Sequence, residues 1–66
     1  MPAYRVYHVD HHNRLSVGDL IEADDDHAAV AAFERSHRLG RASELWRGGA
    51  MVAKISPAGR LTLKNA

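Results

Sequence analysis

Three of the chain's histidines, His8, His11 and His12, crowd around Asp10, and imidazoles beside a carboxylate are the raw material of a metal site. Their spacing argues against one. Neighbouring residues on a strand point to opposite faces, and no two histidines stand four apart on a helical stretch, the separation a helix-borne zinc site needs. Surface turn residues are the simpler reading of His11 and His12. His8 reads as a core or edge histidine with a hydrogen-bond partner, whose charge would answer to pH near neutrality if it were buried.

Other routes to catalysis are equally thin. There is no cysteine, which removes thiolate nucleophiles, disulfides and the common zinc knuckles. Ser16, Ser36, Ser43 and Ser56 sit in no nucleophile elbow. The run Asp24-Asp25-Asp26 lacks the alternating ligands and glycine of a calcium loop, and Gly48-Gly49 belongs to no phosphate-binding fingerprint. The expectation is therefore a protein that is not an enzyme and takes no metal, cofactor or small-molecule ligand.

The elements that position these residues follow from periodicity and punctuation. Asp24 to Leu39 reads as the single long helix. Asp24 is the candidate N-cap, Asp25 and Asp26 add charge of the sign the N-terminus favours, His37 and Arg38 do so at the other end, and Gly40 supplies the stop. Ala28, Ala29, Ala32, Phe33, Ser36 and Leu39 form its apolar stripe, with Ala31, Glu34, Arg35 and Arg38 opposite. Ahead of it, Tyr4 to Asp10 and Arg14 to Ala23 read as two strands joined by a turn at His11-His12-Asn13, with Asn13 the residue best suited to a left-handed conformation. Gly18 is a candidate bulge that would exchange the facing of the residues after it, leaving Leu20 and Ile21 open as to which points inward. Beyond the helix, Ser43 to Arg47 and Ala50 to Ser56 flank Gly48-Gly49, a two-residue hairpin signal that sets Trp46 opposite Met51 and Leu45 opposite Val52. Residues 57–66 make a turn at Pro57-Ala58-Gly59, followed by an edge strand or a frayed tail.

This order predicts one domain over residues 1–66: an α+β two-layer sandwich, ββαββ with room for a short fifth strand, in which the helix crosses one face of a mainly antiparallel sheet. Taking cations as markers of the outer face puts Arg5, Arg14, Arg47 and Lys54 away from the helix. Tyr4, Val6, His8, Leu15, Val17, Trp46, Met51, Ala53 and Ile55 then point toward it. The outer face also receives Tyr7, Val9, Leu45 and Val52. One helix cannot cover two apolar faces, so Arg5, Tyr7, Val9, Leu45, Arg47, Val52 and Lys54 form the expected partner surface. A second copy, packed sheet to sheet or edge to edge, is its leading occupant. Nucleic acid is the rival, with Tyr7 stacking a base among arginines, and Arg35, Arg38 and Arg41 lie on a different surface. A role as an adaptor in a larger assembly fits the same residues.

At 66 residues such a domain can bury only about 60% of its unfolded surface, so a partner would help its stability. Nine basic against eight acidic side chains leave no global field that favours nucleic acid or an acidic membrane. No run approaches the ~20 apolar residues of a membrane span and no signal-type core opens the chain, so the expected location is the cytoplasm.

The combination of YRVYHVD, EADDD ahead of an alanine-rich helix, and ELWRGG before a further strand resembles a group of short bacterial proteins of uncharacterised function with a strand-strand-helix-strand-strand layout. The resemblance implies that architecture and no activity.

Overall fold

The computed structural model describes residues 2–10, 12, 14–36 and 40–64. Five strands, β1 (Ala3–Val9), β2 (Leu15–Glu22), β3 (Ala42–Arg47), β4 (Ala50–Ile55) and β5 (Leu61–Leu63), and one helix, α1 (Asp26–Ser36), follow in the order β1-β2-α1-β3-β4-β5. All pairings are antiparallel and the sheet runs β2-β1-β3-β4-β5, so β3 returns beside β1 and joins the β1–β2 hairpin to the β3–β4–β5 meander. This is the expected α+β arrangement, with the fifth strand present.

Each connection has a local cause. The β1–β2 turn is held by Asp10, whose Oδ1 accepts the backbone N–H groups of His12 and Arg14 at 2.9 Å, a side chain standing in for a turn carbonyl. His11 and Asn13 lie outside the described residues, and with them the expected left-handed Asn13. At the start of α1 the cap is Asp25 and not Asp24: its carboxylate accepts the Ala28 N–H at 2.8 Å, three residues on, the N-cap geometry. The β3–β4 hairpin turns through Gly48-Gly49 with Gly48 at φ 58°, and the β4–β5 hairpin turns through Pro57-Ala58-Gly59, closed by the Gly59 N–H on the Ser56 carbonyl with Gly59 at φ 92°. Both turns need positive φ, which is why glycine stands there.

The core lies between α1 and one face of the sheet. Tyr4, Val6, Leu45, Val52, Ala53 and Ile55 meet Ala29 and Phe33, with Ile21, Val30 and Leu61 packed around them. The stripe of α1 is thus centred on Ala29 and Phe33, while Ala28 and Ser36 are exposed. His37, Arg38 and Leu39 fall outside the described residues.

The assignment of faces differs from expectation on three strands. Leu45 is 0% exposed and pairs with Val6 and Ala53 beneath α1, whereas Trp46 points away and pairs with Arg5 and Met51. On β4, one residue, Val52, lies between the partners of the adjacent Leu45 and Trp46, so Val52 is the extra residue of a bulge, and both Val52 and Ala53 are buried. Leu45 and Val52 therefore belong to the core and not to a partner surface. Arg47 is corrected as well: it shares the inner side with Leu45, and its guanidinium reaches Asp26 at the helix start, 3.3 Å away. On β2 the register slips between the partners of Arg5 and Tyr7, placing a bulge at Gly18-Asp19. Leu15 and Val17 consequently pair with Val9 and Tyr7 on the outer side, Leu20 joins them opposite Arg5, and Ile21 pairs with Tyr4 on the inner side.

A candidate interaction face

The outer side of the sheet can be read as rows of cross-strand partners. One row runs Val17–Tyr7–Glu44–Lys54–Thr62 across all five strands, a second Leu20–Arg5–Trp46–Met51, and a third Leu15–Val9–Ala42. The apolar side chains gather on the β2–β1 half and at Trp46 and Met51. The charges of the first row lie on β3 and β4. Leu15, Val17 and Leu20 are 58%, 67% and 58% exposed, and Tyr7, Val9, Trp46 and Met51 are half-buried around them. Tyr7 and Trp46 meet edge to face with centroids 6.4 Å apart. Trp46 Nε1 donates to Glu44 Oε1, two residues away on the same strand, at 3.0 Å.

Of the seven residues expected on this face, Arg5, Tyr7, Val9 and Lys54 lie there; Leu45, Val52 and Arg47 do not. Leu15, Val17, Leu20, Trp46 and Met51 replace them. The signal that would have found the first three was Gly18. A Cβ at that position would lie 2.6 Å from His8 Nε2 and 3.0 Å from the Val6 carbonyl oxygen, so only glycine lets β2 bulge this closely over β1.

Several titratable groups elsewhere are engaged in structure. On the inner side His8 Nδ1 bonds the buried Ser43 hydroxyl at 3.1 Å, the hydrogen-bond partner expected, though β1 lies between β2 and β3 and His8 is not at an edge. A pocket of about 500 Å³ opens beside it, lined by His8, Asp10, Ser16, Arg41 and Pro57 among others. Its carboxylate, Asp10, is committed to the turn. Among the described residues no three His, Asp or Glu side chains converge as metal ligands; His11 lies outside that set. The buried Tyr4 hydroxyl donates to Asp26 Oδ1 at 2.6 Å, and Arg47 donates to the same oxygen. The bond to Asp26, followed by burial, pushes the Tyr4 phenol above its ordinary pKa. This three-way link ties β1, β3 and the start of α1 together.

No helix among the described residues is long and apolar enough to cross a membrane. No protein-family model, curated protein or solved structure matches the chain.

Proposed function

We propose that this chain is a small, non-enzymatic cytoplasmic interaction module that works as a homodimer, its second copy covering the sheet face turned away from α1. The observation carrying this reading is the contiguous apolar surface of Leu15, Val17 and Leu20 beside Tyr7, Val9, Trp46 and Met51. Scattered exposed apolar residues need no explanation, but a contiguous patch on a small domain marks an interface. An interface of ordinary size takes about 800 Å² from each partner. That is about a sixth of this chain's 4703 Å².

Sedimentation equilibrium at micromolar concentration tests the reading. The expected mass is twice that of the 7.3 kDa chain, falling to the monomer in Val17→Asp with the helical signal retained. A monomer at every accessible concentration overturns it.

A second reading is favoured by Trp46, which joins Tyr7, Arg5 and Lys54 on this face and gives a single nucleic acid strand two rings and two cations. The rings stand at 90° to one another and do not form a continuous stacking platform. This reading expects binding to single strands that weakens steeply with salt and with Tyr7→Ala.

A further inference from the structure

We infer that the second copy lies face to face on the outer side of the sheet, stacked over the β2–β1–β3 half, rather than extending the sheet edge to edge through β2. The inference rests on the dimer reading and adds its geometry. Side chains stand roughly perpendicular to a sheet, so joining two β2 edges leaves Leu15, Val17 and Leu20 of both copies in water and sets six such side chains beside one another. Stacking two sheets about 10 Å apart removes all of them from water at once.

The free edge of β2 is also poorly made for pairing. It is interrupted by the bulge at Gly18-Asp19 and carries exposed Asp19 and Glu22, and bulges and charges are how sheet edges are blunted against addition of a further strand. The face, by contrast, suits a copy of itself. Arg5, Glu44 and, opposite Ala3, Glu22 give the stacked half charges of both signs, so a two-fold operation can set the guanidinium of one copy against a carboxylate of the other. Lys54 and Thr62, toward β5, fall at the solvated rim.

Trp46 is the chain's single tryptophan and sits on β3, two strands in from the β2 edge, so it reports on the face alone. Its emission and iodide quenching are followed through a dilution series while mass is read by sedimentation. The expected result is a blue-shifted, largely unquenched Trp46 in the dimer that turns red and quenchable as the mass halves. Val17→Asp should shift both together, and Leu20→Lys, at a second exposed position, should do the same. A dimer whose Trp46 is as quenchable as in the monomer, with β2 amides gaining protection from hydrogen exchange, overturns the stacked geometry and leaves the dimer standing. A monomer at all concentrations removes both, and a monomer whose Trp46 is protected only on adding a single-stranded oligonucleotide assigns the face to nucleic acid instead.

Discussion

The two sides of this one sheet, built from alternating residues of the same strands, have opposite fates. On the inner side the row Val6–Leu45–Ala53–Leu63 passes beneath α1, and its first three members are buried. On the outer side the row Val17–Tyr7–Glu44–Lys54–Thr62 starts apolar and ends charged, with Val17 the most exposed of the large apolar residues. Apolar content does not separate the two, since Leu15, Val17 and Leu20 are as greasy as anything in the core. What separates them is whether a second layer is present. The inner side obtains one from its own chain; among the described residues the outer side has none, which is the ground for proposing a layer from outside.

The contrast is broken most directly by placing the same charge on each side. Leu45→Asp puts a carboxylate where no water reaches, at a cost expected to exceed about 4 kcal/mol, comparable to the ~3–5 kcal/mol a core of this size supplies. The variant should lose its cooperative thermal transition. Val17→Asp, already facing water, should change the monomer's stability by no more than about 0.5 kcal/mol. Circular dichroism melts of the two check this, and a folded Leu45→Asp beside an unfolded Val17→Asp would reverse the sides.

A smaller effect sharpens the contrast within β2, the most exposed strand. Gly18 points its missing side chain at His8 on the inner side, so Gly18→Ala must displace the imidazole held by Ser43 and crowd the Val6 carbonyl, a strain worth about 1–3 kcal/mol. A denaturant midpoint unchanged from the wild type would mean the bulge has more room than its geometry gives it.

At neutral pH the smallest effect belongs to Tyr4→Phe. Asp26 keeps Arg47 and a side chain 42% exposed to water when the phenol is lost, so the carboxylate is not stranded. The phenol's pKa is raised in the fold, which means the native state holds that proton more tightly than the unfolded chain. The contribution is complete below the ordinary tyrosine value of about 10 and is lost as pH rises through the folded value. Melting temperature should therefore fall above about pH 10 in the wild type, and less steeply in Tyr4→Phe. Parallel profiles for the two proteins would deny Tyr4 this role.

The pattern of agreement follows from range. Elements set by neighbours in sequence were legible: the helix from its acidic start and alanine-rich stripe, the hairpins from Gly48-Gly49 and Pro57-Ala58-Gly59, the β1 alternation from Tyr4, Val6 and His8. Even the cap was missed by a single residue among three aspartates. Facing failed on β2, β3 and β4 because it rested on the idea that a cation marks the outer side. Arg47 breaks that idea: its stem runs along the inner side of β3 and delivers the guanidinium past the core to Asp26, where water and a carboxylate both meet it.

By itself, then, the sequence determined which segments become strand, helix and turn, because those choices depend on dihedral preferences, caps and periodicities within a few residues. Only the tertiary structure decided which half of each strand faces α1. A bulge at Gly18-Asp19 and another at Val52 each shift the count by one, and with a side-chain period of two a single residue exchanges core for surface. The face left uncovered, and hence where the proposed partner would lie, was decided by those two insertions acting across strands far apart in the chain.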